Sequence, residues 1–447
     1  MPKIVIQEDN QTRGTASSNT DIVFIPGFSS NSDHVGKAPK LYTSIAQFET
    51  DFPNPVIFRD ACIDTNHPQL ADDIKSGSID RSYVMAKELL SAGLSVYYYV
   101  AASYPAEATA DTAFSTFYKS LDTIFAADEA APLVDKNDYT IKYLTTGGYP
   151  NFWTITSGEE TTAQGCYSAM LTLAYKRGDC IAMIEFPRSD LNDKIVGDTS
   201  YFNSLYTANP TYSEYGTVFT PWHNYSLTSS YTGYVDAKQK RKLTVEMPGC
   251  FGYLVDLAAN IKTGPNWLAM AGINRGAVPG IGDPLLPTGI PSINNYMINT
   301  MQATTSDTGA IAINPIAEIK PYGYVVWGNR TLAKITDEGL NAHHFLNIRN
   351  MVCDIKKVCY QAAKSLLFEQ NSEVLWLNFK AQVAPYLEQL KSGQGISDYK
   401  LIMLDTRYDG RTLPKETFAC AIKIYPLYAV EEFEITIVLS DTDVSIN

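Results

Sequence analysis

A chain of 447 residues with 45% apolar and 19% charged residues has the composition of an ordinary globular protein and the length for two or three domains. Its net charge of −13, from 48 acidic against 35 basic residues, argues against nucleic acid as the main partner, because phosphate binding needs a basic face. The opening MPKIVIQEDN has neither a basic leader nor a long apolar segment, so we expect no signal peptide and no membrane insertion.

In chain order, a polar link over residues 8–20 leads into DIVFIPGFSS, which reads as a buried strand ending in a glycine turn. LYTSIAQFETDF places Ile45, Phe48 and Phe52 at helical spacing. RSYVMAKELLSAGLSVYYYVAA is a helix–glycine–strand unit, with Gly93 as the stop and Val96 to Val100 as the strand. GCYSAMLTLAYKRGDCIAMIEFPR repeats that arrangement around Gly178. Strands separated by helices predict a largely parallel α/β domain over residues 21–190.

Residues 191–245 change character: they are aromatic, poor in helical periodicity, and read as an insertion of surface loops and short strands. The basic run Lys238–Lys242 within them reads as a solvated turn or a contact with a neighbouring subunit. CFGYLVDLAANIKTG is helical, and AIAIN and GYVVWGNRTL read as strands, so residues 246–335 form the remainder of the outer domain and its connection. The last third is the most regular. A first helix of about eight turns carries Phe345, Ile348, Val352, Ile355, Cys359, Ala362 and Leu366. A second follows a cap at Asn371 or Ser372, carries Leu375, Phe379, Val383, Leu387 and Leu390, and is expected to bend at Pro385. YKLIMLD and FACAIKIYPL complete a unit over residues 336–430. The two ends are β-like: Ile4, Val5 and Ile6 form a short run in the arm 1–20, and Phe433, Ile435, Ile437 and Leu439 alternate with Glu434, Thr436 and Val438 in the arm 431–447.

The chemistry-bearing residues are sparse. No P-loop, GxGxxG, GxSxG or HExxH pattern is present, and the glycine-rich stretch 276–282 opens no helix, as a phosphate cradle would require. His343 and His344 are adjacent and make poor joint ligands, while His34, His67 and His223 read as loop residues. Seven dispersed cysteines without a CxxC pair point to free thiols in a reducing compartment. No catalytic, cofactor or metal constellation emerges. The 29 tyrosines suit either large contact surfaces or a packed core with hydroxyls at its edge.

The order GYVVWGNRTL, then FLNIRNMVCDIKKVCYQAAKSLLFEQ, then EEFEITI resembles the tail sheath proteins of contractile bacteriophages, a family shared with contractile bacteriocins and type VI secretion sheaths. MPGCFGYLVDLAANIKTGPNWLAMAG, with its W-x-A-x-AG turn, and LYTSIAQFETDF with AKELLSAGLSVYYYVAA are similar as well, so the resemblance covers most of the chain apart from residues 190–240. It implies an α/β, multi-domain fold: an outer α/β domain and a C-terminal core of two helices and a small sheet, with extended strand arms. It implies a structural protein, not an enzyme, that assembles as stacked hexameric rings around a tail tube, meets baseplate and tail terminator proteins, and belongs to the virion after synthesis in the host bacterial cytoplasm. It also implies that Ile4, Val5, Ile6, Phe433, Ile435, Ile437 and Leu439 add strands to neighbouring subunits. Lys380, Lys391 and Gly393 are candidates for the tube-proximal surface. Two other classes remain: an α/β nucleotide-using enzyme, whose glycine turns would have to be Pro26-Gly27 and Gly93, and a receptor-binding or other virion structural protein.

Overall fold

The computed structural model describes residues 21–53, 80–103, 110–129, 131–149, 160–185, 212–226, 244–261, 264–284, 313–333, 340–404, 412 and 414–430. Its elements run in chain order as β1 (Ile22–Ser29), β2 (Lys40–Tyr42), α1 (Ile45–Asp51), α2 (Arg81–Ala92), β3 (Ser95–Ser103), α3 (Ala110–Ile124), β4 (Tyr143–Leu144), α4 (Glu160–Arg177) and β5 (Ile181–Glu185). They continue with β6 (Gly216–Thr220), β7 (His223–Ser226), β8 (Thr244–Met247), α5 (Gly249–Ile261), β9 (Ile281–Pro284), β10 (Asn314–Ile319) and β11 (Gly323–Val326). The last four are α6 (Leu346–Leu366), α7 (Glu373–Ser392), β12 (Ile396–Met403) and β13 (Cys420–Pro426).

Eight strands form one sheet in the order β11-β10-β6-β5-β4-β1-β3-β2. The six inner strands are parallel, and β2 and β11 close the two edges antiparallel. Burial on both faces follows from the period of two. Phe24, Tyr97, Tyr99 and Ala101 pack with α3 and α4 on one face, through Phe117, Leu121, Met170 and Ala174. Val23, Ile25, Val96, Tyr98 and Val100 pack with α1, α2 and α5 on the other, through Phe48, Val84, Leu89, Leu254 and Leu257. The tyrosines of SVYYYVAAS therefore divide between two cores, and all three are buried.

Local signals place the helix ends. Asp80 caps α2, its carboxylate accepting from the Ser82 amide, and Gly93 stops the helix in a left-handed conformation at φ 102°, its amide donating to Leu89 and Leu90.

Several sequence expectations change. Residues 212–226 do not stay in surface loops: β6 lies inside the large sheet between β5 and β10, and β7 is the middle strand of a second sheet, β8-β7-β9. The run TVFT is short and fully buried, so its aromatic, polar flanks conceal its central position. Of AIAIN, residues 310–312 lie outside the described residues and Asn314 begins the strand Asn314–Ile319, which includes Pro315, while WGNRTL is no strand and meets Phe345 through one bridge at Arg330. The first C-terminal helix has 21 residues, about six turns rather than eight, because Ala342–His344 form a separate tight turn capped by Asn341. Helix α7 holds Pro385 in its interior, where the sequence places it. His223 sits in β7, not in a loop. The stretch 276–282, by contrast, opens no helix, as expected, and leads into β9.

Helices α6 and α7 and the antiparallel pair β12–β13 enclose a third core with Phe345, Ile348, Ile355, Phe379, Val383, Leu387, Ile396 and Ile424. The six described cysteines are free thiols, and Cys62 lies outside the described residues.

Candidate functional site at the junction of the sheet and the C-terminal helices

The apolar stripe of α6 faces the third core, as its spacing predicts. The residues between the stripe positions are also buried: Asn347, Arg349, Asn350, Asp354, Lys356 and Lys357. Each of those with a described partner meets a side chain or backbone group outside its own helix. Helix α6 runs across the amino ends of the parallel strands, where Asp21 precedes β1, Lys142 precedes β4, Cys180 precedes β5 and Tyr215 precedes β6.

At the centre, Lys142 Nζ stands 2.7 Å from Asp21 Oδ1 and 2.6 Å from Asp354 Oδ2, with all three side chains nearly excluded from solvent. Asn266 Nδ2 donates to both oxygens of Asp21, at 3.1 and 3.0 Å, and to Asp354 Oδ2 at 3.1 Å. Burial pushes the Lys142 ammonium down, and the two carboxylates more than reverse this, so its pKa is raised. Burial raises the Asp354 carboxyl, with Lys142 opposing and Asp21 adding to the rise. The two acids share the Lys142 ammonium, the Lys357 charge also favours ionised Asp354, and the Asn266 side-chain amide adds donors to both acids.

On one side of this cluster Asn350 Oδ1 accepts from the Tyr143 hydroxyl at 2.9 Å, and its amide donates to Tyr253 at 3.1 Å. Lys356 Nζ donates to the Tyr215 hydroxyl at 2.8 Å. Arg349 lies over the Tyr215 ring, 4.5 Å from its centroid, and pairs with Glu214 at 2.9 Å, which His343 also meets at 2.5 Å. The adjacent histidines thus serve different purposes, since His344 Nδ1 accepts from the Asn341 backbone N–H at 3.0 Å. The arrangement is a built joint: a helix of the C-terminal unit is bonded along its length to the sheet.

The opposite, carboxyl ends of the strands are where open α/β sheets bind ligands, at the point where strand order reverses beside β1. Here the chain fills that crevice itself. A Cβ at Gly27 would overlap the Tyr98 hydroxyl and Ser82 Oγ, and one at Gly147 would overlap the Pro26 carbonyl. Ser82 Oγ lies 2.8 Å from Asp80 Oδ1 and 3.0 Å from the Tyr98 hydroxyl, and Tyr149 donates to Asp80 at 2.5 Å. Burial raises the Asp80 carboxyl to about 6 against the pull of the Tyr149 and Ser82 hydrogen bonds. Beside it is a cavity of about 420 Å³ whose lining includes Asp51 and Asp80, a poor setting for phosphate. Among the described residues no His, Cys, Asp and Glu cluster is arranged to hold a metal ion, and no helix is long and apolar enough to cross a membrane.

Ile4, Val5, Ile6, Phe433, Ile435, Ile437 and Leu439 lie outside the described residues. The structure places the three other candidates on or just after α7. Lys380 is exposed on α7, and Lys391 makes an exposed pair with Asp398 at 2.8 Å. Gly393 is turned to the interior, its carbonyl accepting from Trp267 Nε1 at 3.0 Å. Sequence reasoning missed Lys142, Asp354 and Asn266. Trp267 alone carried a signal, as the first residue of the W-x-A-x-AG turn.

No family model matches the chain. The tail sheath protein of Vibrio phage KVP40 is 25% identical over 177 residues, which is 40% of this chain and 24% of that protein. The tail sheath protein of Enterobacteria phage T4 is 22% identical over 294 residues, 63% of this chain and 40% of that one. The chain therefore spans well under half the length of these curated relatives. Among solved structures, the anti-feeding prophage baseplate in its contracted state superposes with a TM-score of 0.62 at 17% identity, covering 99% of both chains. The contracted helical sheath of the same particle gives 0.54 at 16% identity, covering 98% of this chain and 99% of that one. The contracted sheath complex of the extracellular contractile injection system PVC gives 0.53 at 13%, with coverages of 99% and 98%. The chain is similar to tail sheath proteins in sequence and to contractile sheaths in fold.

Proposed function

We propose that the chain is a structural subunit of a contractile tail sheath. It polymerises helically around an inner tail tube, as stacked hexameric rings, and contracts to drive the tube through the host envelope. Its partners are then further copies of itself, the tube protein, and baseplate and terminator proteins, and its place is the virion tail after synthesis in the host cytoplasm. The similarity in sequence to two tail sheath proteins supports this reading.

The observation that carries it is the surface of the C-terminal unit. Most exposed large apolar side chains among the described residues lie there, including Phe368, Val374, Leu377, Tyr425, Tyr428 and Val430. The sheet β12–β13 has two described strands, and no other described strand covers either of its outer edges. Residues 433–439 have the alternation that would extend such a sheet in a neighbouring copy. Four or five ladder bonds at ~0.5–1.5 kcal/mol each, with three or four buried Ile or Leu side chains at ~1.5–3 kcal/mol each, amount to several kcal/mol per contact before ordering costs. On this reading residues 343–439 lie next to the tube, and the outer α/β domain that begins at residue 21 lies at larger radius.

Electron microscopy of the purified protein tests the proposal. Long hollow cylinders, with residues 343–439 innermost in a helical reconstruction, are expected. A protein that stays monomeric under all assembly conditions sinks the sheath reading, and an inverted radial order sinks the domain placement.

A further inference from the structure

Between α5 and β9 the chain turns at Pro265-Asn266-Trp267, where the Leu268 amide donates to the Pro265 carbonyl at 3.3 Å. The two adjacent side chains of this turn hold the two roots of the chain. Asn266 grips Asp21, the first residue after the N-terminal segment 1–20, through both carboxylate oxygens. Trp267 grips the backbone that pairs with Leu427, near the end of the described chain. Its Nε1 donates to the Gly393 carbonyl, and the Gly395 carbonyl accepts from the Leu427 amide at 3.1 Å. A Cβ at Gly393 would stand 2.6 Å from the indole and one at Gly395 2.8 Å, so both glycines are required for the ring to lie against this backbone. Just beyond Leu427, the Tyr428 ring packs edge-on against Phe345 at 5.1 Å.

Asn266 and Trp267 are themselves 8% and 5% exposed, so neither belongs to an interaction surface. Trp267 is also fixed from behind, because its carbonyl accepts from Asn347 Nδ2 at 3.2 Å. A buried asparagine and a buried tryptophan side by side thus connect Asp21 to Leu427 by way of the 393–395 backbone. A core residue fills space, and a Leu or Phe would do so without this polar relay. The Asn266 donor is shared between Asp21, at the end of the N-terminal segment, and Asp354 of α6, and the Trp267 donor is aimed at the Gly393 carbonyl.

We propose that this turn is a positioning joint that sets the direction in which both terminal segments leave the body: Asn266 by orienting Asp21, Trp267 by seating the 393–395 backbone under Leu427. It rests on the reading of those segments as linkers between subunits. Losing the joint leaves the linkers intact and misdirects them, so it acts on polymerisation more than on folding.

The test uses the full chain with Asn266→Leu, Trp267→Phe, and Ile355→Val as a control that thins the same C-terminal core. Melting temperature and the critical concentration for polymerisation are measured for each, beside chains lacking residues 1–20 or 431–447. Both joint variants should raise the critical concentration about tenfold or more, the scale of one aligned hydrogen bond, while the control at a similar melting temperature should not. Trp267→Phe keeps the ring and remains readable if Asn266→Leu folds poorly. Joint variants that polymerise like the control overturn the joint, and the linker reading stands if the deletions still abolish assembly. Deletions that polymerise normally overturn the linker reading, and the joint with it.

Discussion

Lys142 Nζ lies 2.6 Å from Asp354 Oδ2 across 212 residues of sequence, and neither side chain is more than 3% exposed. The contact ties the start of β4 to the middle of α6, so the sheet and the C-terminal helices share one buried charge cluster. Removing the ammonium strands two carboxylates in the interior. Lys142→Met should cost about 3–5 kcal/mol, read as a lowered urea midpoint. A loss under ~1 kcal/mol would show that water or rearrangement compensates the acids.

Glu185 gives a pH dependence with a definite sign. Its carboxyl accepts from Thr146 Oγ1 at 2.7 Å and from Cys250, and burial raises it from 4.5 to about 7 against those hydrogen bonds and the Arg81 charge. Between these two values the folded protein holds a proton that the unfolded chain has released. Stability therefore falls as pH rises through that window and levels off above it, by at most ~3 kcal/mol. Glu185→Gln should flatten the slope of melting temperature against pH from 4.5 to 7. Asp80 and Asp256, raised by burial to about 6 and about 8, have the same sign and leave a residual slope. An unchanged slope in the variant contradicts the assignment.

Two glycines separate backbone strain from steric closure. Gly147 and Gly36 have nearly the same φ, +73° and +69°, but a Cβ at Gly147 overlaps the Pro26 carbonyl and one at Gly36 meets nothing within 4 Å. Gly36→Ala should cost ~1 kcal/mol and Gly147→Ala ~2–4 kcal/mol in thermal or urea melts. Equal losses would mean that the β1–β4 crevice is looser than its contacts imply.

The filled crevice also bears on the nucleotide reading. Magnesium ATP, magnesium GTP or NAD at millimolar concentration should leave the melting temperature unchanged, because Tyr98, Ser82 and Asp80 occupy the place of a phosphate. A rise of several degrees with any of them restores that alternative.

The terminal segment offers a direct test of assembly. Ile435→Asp with Ile437→Asp places two charges where a strand is expected to be buried, at several kcal/mol per contact. Sedimentation should show a folded protein that no longer polymerises, and a chain ending at Val430 should behave in the same way. Normal polymers from either would remove the linker role, and an unfolded truncation would assign the strand to its own subunit.

Local pattern made the helices and much of the sheet legible, since period and punctuation act within ten or twenty residues. The stripe of α6, the Gly93 stop and the helix–strand alternation before residue 190 were all readable in that way. So was the resemblance to tail sheath proteins, through ordered segments of the last third. The position of β6 inside the sheet was not readable, because whether a short buried run becomes an edge or an inner strand depends on strands far away in the chain. Nor was the junction. Lys142, Asp354, Asn266 and Asp21 are ordinary surface residue types in sequence, and only the packing of α6 across the strand ends removes their water and makes their pairing obligatory. Gly393 illustrates the same limit: sequence marks it as a helix stop, and tertiary structure turns it inward as the seat of Trp267. Where the long helices run, and which of their faces are apolar, was settled by residue order. Which charges meet was settled by the fold, because that energy exists only after distant groups have been brought together and solvent excluded.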